Sequence, residues 1–355
     1  MKTIEKMNTM ISNLKIALGI ILLFPVVSVL SQDYTKIYEG SYPVDKGASL
    51  VITNKFGDVK CTNWEESKVS IVVTVTVEAS SQEKADRLLG KISVDLSGDR
   101  TRVQGTTKIG EMNNSSDFSV NYEIRMPEWI NLDFNCQFGD IYVDESEGSV
   151  KIRLDYGAME ANSFSSTNND LTLKFSDGEV GFMKEGDIQV EYSEFKLKST
   201  EKVKFYSRFS EVHLVNTGML NLDSQYDEIE VDQSAEVISV SRFSELDFGK
   251  ITGDFDFDTE YGDIEVDYIA PSFKAGKVRN SFANADLTFD LKANLNLDAE
   301  LQFGDLSYPK SALLNHVTEG YTTEIYKGRL GSGTGTPSQL TIISKNADAS
   351  IRFTE

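Results

Sequence analysis

Residues 209–248 read FSEVHLVNTGMLNLDSQYDEIEVDQSAEVISVSRFSELDF, and they contain the same short phrase three times. The phrase is an aromatic residue, a small or polar residue, an acid, an apolar residue, any residue and a second apolar residue. Its copies begin at Phe209, Tyr226 and Phe243, so they are 17 residues apart. A fixed interval of this length predicts a repeat protein in which each copy contributes the same structural unit.

The phrase recurs along most of the chain. From the second copy onward the intervals are 18, 19, 17, 17, 17, 17, 18, 21 and 21 residues, a regularity that chance does not maintain. A decayed last copy begins at Asn346, with Ala349 and Ile351 in the two apolar positions. The aromatic residues of the eleven intact copies are Phe56, Phe138, Tyr156, Phe175, Tyr192, Phe209, Tyr226, Phe243, Tyr261, Phe282 and Phe303.

Residues on both sides of each aromatic alternate with period two. Before the aromatic, apolar or small residues such as Phe205 alternate with charged residues such as Arg208, and after it the third and fifth residues, such as Val212, are apolar again. This pattern predicts two strands joined by a two-residue bend, with one apolar face per repeat. We therefore predict that equivalent aromatics form one stacked, inward-facing column, so that Phe209→Asp would bury a charge and cost several kcal/mol, with roughly 3–5 as a guide. The central members of this column are Tyr192, Phe209, Tyr226 and Phe243.

Two all-β architectures satisfy the pattern. In a parallel β-solenoid each repeat is one rung of 17 to 21 residues, and the aromatics stack at about 4.8 Å. In an antiparallel β-meander each repeat is a hairpin, and equivalent aromatics lie about two strand spacings apart. The first bend residue is glycine in some copies but serine or alanine in others, such as Ser210 and Ala283. Because two-residue hairpins prefer glycine or Asn-Gly, this composition favours the solenoid.

The first two copies are separated by an insertion, residues 65–130. Val69, Ile71, Val73, Val75 and Val77 alternate as a long strand, and Ser80 with Glu83 predicts a capping box at the start of a short helix. We expect an antiparallel sheet with one helix that covers the N-terminal end of the repeats. The predicted organisation is a signal peptide at 1–31 and one β-repeat domain at 32–355, with the repeats at 131–310 and a last rung at 336–355.

The first 31 residues predict export. Three lysines precede the uncharged run IALGIILLFPVVSVL at residues 16–30, which is short for a membrane span, and cleavage fits between Ser31 and Gln32. An uncleaved N-terminal anchor is the alternative. Removing residues 1–31 would change the net charge from −21 to −23, because that segment has three lysines and one glutamate.

The composition excludes several functions. The chain has 56 acidic against 35 basic residues, so nucleic acid is not expected as a partner. Two histidines and two cysteines leave few groups for catalysis or a structural zinc site, and no cofactor is expected. Cys61 and Cys136 lie on the inward parity of different strands, and we expect buried free thiols, with a disulfide as the alternative that export would allow.

Three segments resemble a known group of proteins. They are TNKFGDVKCTNWEESKVSIVVTVTVEA at 53–79, YEIRMPEWINLDFNCQFGDIYV at 122–143 and GSGTGTPSQLTIISKNADASIRF at 331–353. Together they resemble the bacterial "putative adhesin" families with β-strand repeats, including the head-GIN type. The resemblance covers residues 45–355. It implies an exported all-β repeat protein without an established reaction, and therefore no catalytic residues to carry over.

Candidate catalytic or binding residues are few. His213 and His316 have no ligand-spaced partners in a familiar motif, so both are interpreted as surface histidines. The glycine-rich run at 331–337 lacks the Lys-Ser/Thr ending of a phosphate loop and is interpreted as a flexible loop. Carboxylate pairs such as Asp227 with Glu228 would suit glycoside hydrolysis, but such pairs arise freely in an acidic chain.

An acid column is expected at the second bend position. Rungs in register would align these carboxylates along one edge, where they either accept backbone hydrogen bonds as a solvated corner or hold calcium. The first interpretation is favoured because one carboxylate per rung offers few oxygens to any one ion. The calcium candidates are Asp140, Asp177, Glu194, Glu211, Glu228, Glu245 and Asp263.

These observations predict an exported, non-enzymatic, adhesin-like repeat protein that presents an elongated acidic β surface. It would bind or scaffold at the cell envelope, in the periplasm or at the cell surface. The expected partner is an envelope or surface protein or a glycan, with no membrane span after signal cleavage. The alternatives are a carbohydrate-active enzyme, a lyase or hydrolase, on a β-solenoid, and a component of envelope-stress signalling.

Overall fold

The computed structural model describes residues 32–112, 117–310 and 312–355. These residues form 27 strands and one helix, and hydrogen bonds connect the strands into one large mixed sheet. The predicted all-β class is therefore confirmed. The predicted signal peptide at residues 1–31 lies outside the described residues. Within the described ranges, no helix is long and apolar enough to cross a membrane.

The N-terminal region combines the first repeat with an antiparallel sheet. Strand β4 pairs antiparallel with β1 and β7, and β5 pairs antiparallel with β6. Strands β6 and β7 also pair in parallel with β2 and β3, so the insertion is joined directly to the first repeat. The elements are β1 (Gln32–Pro43), β2 (Ser49–Lys55), β3 (Val59–Asn63), β4 (Lys68–Ala79), α1 (Gln82–Leu89), β5 (Ile92–Gly98), β6 (Arg102–Ile109) and β7 (Phe118–Met126).

Helix α1 begins one residue later than its sequence suggests. Ser81 is the N-cap, and its Oγ accepts a hydrogen bond of 3.3 Å from the backbone N–H of Lys84. The predicted capping box of Ser80 with Glu83 is therefore wrong, because the residue three positions after the true cap is a lysine. Glu83 instead forms an exposed ion pair with Arg87 at 2.8 Å.

The repeats from Phe138 to Phe282 supply a strand on each side of every aromatic, and β13 to β16 each run 15 residues from one bend to the next. Consecutive repeats pair in parallel, so Phe205 lies beside Leu222. The antiparallel meander is therefore wrong for these repeats. The strands are β8 (Asn131–Gln137), β9 (Ile141–Ser146), β10 (Val150–Asp155), β11 (Ala158–Phe164), β12 (Asn169–Lys174), β13 (Asp177–Glu191), β14 (Glu194–Arg208), β15 (Glu211–Gln225), β16 (Glu228–Arg242), β17 (Glu245–Ile251), β18 (Phe255–Glu260), β19 (Ile264–Ile269), β20 (Ala275–Ser281) and β21 (Ala285–Asp290).

The core is built from the parity that the sequence pattern assigned to it. Phe205 before the bend and Val212 and Leu214 after it are fully buried or nearly so. Cys61 and Cys136 are also buried, and both are free thiols as expected. Burial raises the pKa of Cys136 to about 12 and raises the pKa of Cys61 further.

The C-terminal region does not follow chain order in space. Strand β26 lies between β20 and β22, and β27 lies between β21 and β23, with parallel pairing on both sides. The decayed copy at Asn346 is thus a genuine repeat, placed before the Phe303 copy instead of after it. The strands are β22 (Asn294–Gln302), β23 (Leu306–Ser307), β24 (Leu313–Glu319), β25 (Thr323–Gly331), β26 (Ser338–Lys345) and β27 (Ala349–Thr354).

Candidate functional site

The repeat aromatics form a continuous stack along one edge of the molecule, which we call the aromatic ladder. Neighbouring ring centroids are 4.8–5.1 Å apart, and their planes differ by 2–8°. This is one strand spacing, as parallel pairing requires. The ladder consists of Phe56, Phe138, Tyr156, Phe175, Tyr192, Phe209, Tyr226, Phe243, Tyr261 and Phe282.

The ladder faces solvent, so the prediction of an inward column is wrong. The rings from Phe138 to Phe282 are 41–51% exposed. The reason is local: every ladder residue has a positive φ, between 50° and 62°. This left-handed conformation interrupts the period-two alternation at the bend and turns the ring outward, while the next residue turns inward.

Both ends of the ladder have an identifiable neighbour. Phe118 contacts the ring of Phe56 edge-on, with centroids 5.2 Å apart. At the other end Asn346 occupies the aromatic position with φ of 52°, between the repeats of Phe282 and Phe303. Asparagine tolerates this left-handed conformation but has no aromatic ring that could stack on Phe282. The ladder therefore stops at Phe282, although the backbone bend continues.

Phenylalanine and tyrosine alternate strictly along the ladder from Phe138 to Phe282. A phenol hydroxyl therefore recurs at every second ring, at Tyr156, Tyr192, Tyr226 and Tyr261. Within the part of the chain that the structure describes, none of these four hydroxyls hydrogen-bonds to another protein group. The stacked faces cover one another, so a ligand would meet the ring edges and the hydroxyls.

A buried polar column lies directly behind the ladder. The residue after each central aromatic points inward, and it is a serine or, at one position, Asp227. Ser193 Oγ accepts the backbone N–H of Ser176, and Asp227 accepts the backbone N–H of Ser210 at 2.8 Å. Asp227 also accepts the hydroxyls of Ser207 and Ser224, each at 2.7 Å. These bonds satisfy the backbone of the bend and hold the ladder residues in position.

The column explains why Asp227 and Glu228 are not a catalytic pair. Asp227 is buried behind the bend, whereas Glu228 is exposed on the other side of the strand. Two carboxylates that flank a glycosidic bond must face the same ligand. The pair suggested by the sequence is therefore not brought together.

The acid column lies beside the ladder, and all seven calcium candidates are exposed. Glu194, Glu211 and Glu228 are directly paired across parallel strands. Some members accept backbone hydrogen bonds from the next repeat: Asp140 from Ala158 at 2.8 Å, and Asp263 from Asn284 at 2.7 Å. This bonding is the arrangement expected for a solvated corner.

A shallow groove of about 780 Å³ runs along the face next to the acid column. Its walls carry acids such as Asp177 and Glu194, together with Tyr142 and Lys196. His213 and Glu230 lie in the same lining. Further along this face, partial burial and repulsion by Glu228 raise the pKa of Asp247. The groove is therefore open, elongated and predominantly acidic.

The two histidines have different surroundings. The Nε2 of His213 lies 2.9 Å from Asp232, on the outward side of its strand as predicted. His316 pairs with Glu324 and stacks on Tyr326, with centroids 4.4 Å apart. The partners of His213 are not predicted by its local sequence because they lie one repeat away. Their signal was the repeat itself, since His213 and Glu230 are both the fourth residue after their aromatic.

The run at 331–337 joins β25 to β26 and starts no helix. Ser332 donates its hydroxyl to the carbonyl of Leu291 at 2.7 Å. A phosphate loop requires a helix N-terminus after the glycines. The local structure therefore agrees with the interpretation of this run as a loop.

Comparisons with known proteins give a limited result. No protein-family model matches the chain, and no curated protein matches it in sequence. Among solved structures, a "putative cell adhesion protein" of Clostridium sporogenes is 11% identical, with 92% of this chain and 100% of that chain covered and a TM-score of 0.18. A "putative adhesin" of Bacteroides fragilis is 10% identical, with 90% and 97% covered and a TM-score of 0.28. A "putative lipid binding protein" of Parabacteroides distasonis is 7% identical, with 89% and 96% covered and a TM-score of 0.33.

Proposed function

We propose that the chain is an exported, non-enzymatic, adhesin-like repeat protein of the head-GIN type, acting at the cell envelope or surface. We further propose that its repeats wind as a parallel β-solenoid, with residues 1–31 as the signal peptide and the insertion as the N-terminal cap. The parallel register and the one-strand spacing of the rings support this winding. The antiparallel strands at both ends would protect the outermost backbone groups of such a coil.

The observation that carries the function is the uninterrupted exposed aromatic ladder. Nine exposed rings in line, from Phe138 to Phe282, offer a binding strip whose length fits an extended polymer better than a compact ligand. Each ring edge or hydroxyl adds a small contact, and the contacts of successive rungs act together because the strip is rigid. Aromatic residues on a surface are otherwise costly to expose in a row, which favours a binding role.

The chemistry of the strip favours a glycan. Hydroxyls such as those of Tyr192 and Tyr226 are two ring spacings apart and can hydrogen-bond to sugar hydroxyls along a polysaccharide with a two-sugar repeat. The acid column beside them would repel an anionic polymer and attract an amino-bearing one. We therefore infer a neutral or amino-bearing extended polysaccharide as the ligand.

A glycan array with the purified protein tests this function. The protein should bind extended neutral or amino-bearing glycans and leave anionic glycans at background. Tyr192→Phe combined with Tyr226→Phe keeps the stack but removes two hydroxyls, and it should weaken binding by about tenfold or more if each hydrogen bond contributes about 1 kcal/mol. Tyr206→Phe is the matched control, because Tyr206 is an exposed tyrosine outside the ladder.

Equal binding by the double variant and the control would show that the ladder hydroxyls do not contact the glycan. Binding without release of sugar fragments is expected of an adhesin. Release of fragments from the bound polysaccharide would instead support the carbohydrate-active enzyme.

A further inference from the structure

Three potential metal ligands from two neighbouring repeats meet on the acidic face. His213 lies on β15, and Glu230 and Asp232 lie on β16. His213 and Glu230 are directly paired between the two parallel strands. Asp232 is two residues further along β16, so it lies on the same face of the sheet. The fold therefore gathers one imidazole and two carboxylates at a single point.

The distances are close to those of a coordinated ion. The candidate ligand atoms of the three residues all lie within 4.8 Å of one another. Tetrahedral zinc with bonds of about 2.0–2.1 Å holds its ligand atoms roughly 3.3 Å apart. Glu230 and Asp232 are exposed, so small side-chain rotations close the remaining gap without moving the backbone. The hydrogen bond between His213 and Asp232 already holds the imidazole towards this point.

The donor set selects the kind of ion. Calcium takes six to eight oxygen ligands and gains little from an imidazole. One imidazole nitrogen and two carboxylate oxygens suit zinc, and three protein ligands leave its fourth position open. The imidazole separates this point from the acid column, whose members are all carboxylates.

The surroundings favour a divalent cation. Asp247 is directly paired with Glu230, and Glu211 and Glu228 each lie two residues before a member of the cluster. The residue paired with His213 on its other side is the basic Lys196. Negative charge therefore predominates around the cluster, which lowers the energy of a bound dication. Partial burial and this negative charge together raise the pKa of Asp247.

We propose that His213, Glu230 and Asp232 form a zinc site on the acidic face, with the open fourth position directed to the solvent of the groove. The site is independent of the proposed ladder function, since none of its ligands belongs to the ladder. It gives the groove a coordination point for a ligand donor such as a carboxylate, an imidazole or a sugar hydroxyl pair.

Isothermal titration of the purified full-length protein with zinc chloride tests the site. One zinc per chain should bind with saturable heat, and excess calcium or magnesium should not displace it. His213→Ala should weaken zinc binding by at least about tenfold, which is the usual effect of losing even an outer-shell partner. Glu230→Gln and Asp232→Asn should each weaken it by a similar factor.

Two controls separate coordination from general attraction. His316→Ala removes the only other imidazole of the chain and should leave zinc binding unchanged. Asp247→Asn removes a charge in register with Glu230 but outside the cluster, and it should change the affinity by less than about twofold. In a proton–carbon spectrum of the two imidazoles, zinc should shift only the His213 resonance.

Unchanged zinc affinity in His213→Ala would overturn the proposal. Equal losses in Asp247→Asn and Asp232→Asn would also overturn it, because they would indicate diffuse attraction. A shift of the His316 resonance alone would place the ion elsewhere.

Discussion

Phe205 and Phe209 are only four residues apart, yet Phe205 faces the interior and Phe209 faces solvent. Phe205 is fully buried on β14 and packs against Phe195 in a tilted arrangement with centroids 5.5 Å apart. Phe209 is 47% exposed and stacks almost flat on Tyr226. The positive φ of Phe209 itself turns its ring away from the interior. Hydrophobic character alone therefore does not tell an interior ring from a surface ring in this fold.

The two environments also differ in what they demand of the sequence. Interior positions equivalent to Phe205 accept Ile188, Leu222 or even Ser239, because burial requires volume and low polarity rather than one shape. Ladder positions are always Phe or Tyr up to Phe282, although they are half-exposed. Left-handed backbone costs an ordinary residue roughly 1–2 kcal/mol, and stacked rings can return about 0.5–1.5 kcal/mol per pair. Ring stacking thus offsets the strain of the bend.

The largest effect is expected from Phe205→Ala on the interior side. A fully buried phenylalanine leaves a cavity between parallel strands that cannot move apart, so the free energy of unfolding should fall by about 3–5 kcal/mol. Chemical denaturation measures this loss. A loss no greater than that of Phe209→Ala would erase the distinction between the two environments.

The polar column should show the next largest effect. Asp227→Ala would leave the N–H groups of Ser210 and Gln225 without their acceptor and should cost about 2–3 kcal/mol. Asp227→Ser restores the residue type found at this position in the neighbouring repeats, and it should cost about 1 kcal/mol or less. Equal losses for both variants would show that the acceptor is not what holds the bend.

Burial of the Cys136 thiol should also make the free energy of unfolding depend on pH. Because the pKa of the Cys136 thiol is about 12 in the folded protein and lower when unfolded, the unfolded state loses its proton first as pH rises. The free energy of unfolding should therefore fall by about 1.5 kcal/mol more between pH 9 and 10.5 than it does in Cys136→Ala. Parallel pH curves for the two proteins would mean that water reaches this part of the interior.

On the ladder side, Phe209→Ala should cost only about 1 kcal/mol, since the ring is half-exposed and loses contact with two neighbours. Phe209→Asn should cost less than Phe209→Ala, because asparagine tolerates the left-handed backbone. Phe209→Asp should likewise cost about 1 kcal/mol and not the amount expected of a buried charge. A large loss with Phe209→Asp would return the ring to the interior.

The smallest effect concerns the acid column. In the double variant Glu211→Gln with Glu228→Gln, the melting temperature in calcium should differ from that in magnesium by no more than about 1 °C. The same should hold for the unmodified protein. Isothermal titration with calcium should give no saturable heat in either protein. Saturable calcium heat that is lost in the double variant would make the column a calcium site.

The spacing of the repeats, the core positions within the strands and the parallel pairing of repeats could be predicted from the sequence, because strand parity and repeat length leave few options. The outward turn of the ladder could not, because the period-two argument assumes extended backbone at every residue. A signal was present: Asn346, which favours the left-handed region, takes the place of the aromatic in the decayed copy. The pairing of His213 with Glu230 could likewise be predicted from their common repeat position. Their distance to Asp232 could not, because it depends on side-chain conformations that the repeat pattern does not determine.

The spatial order of the C-terminal repeats was not predictable, since parallel pairing can join any two copies of equal phase. Similarly, Ser80 followed by Glu83 is the better sequence signal for a cap, although Ser81 is the residue whose hydroxyl accepts the Lys84 N–H.

The position of β26 affects the order in which the C-terminal strands can pair. Leu340 on this strand is paired with Gly276 on one side and with Leu297 on the other, so β26 lies between β20 and β22 in the sheet. Repeats up to Phe282 can pair with one another in chain order, whereas β22 has its parallel partner in β26, four strands later in the chain. We expect the parallel pairing of β22 and β23 to form after that of the earlier repeats, because it needs residues 338–350.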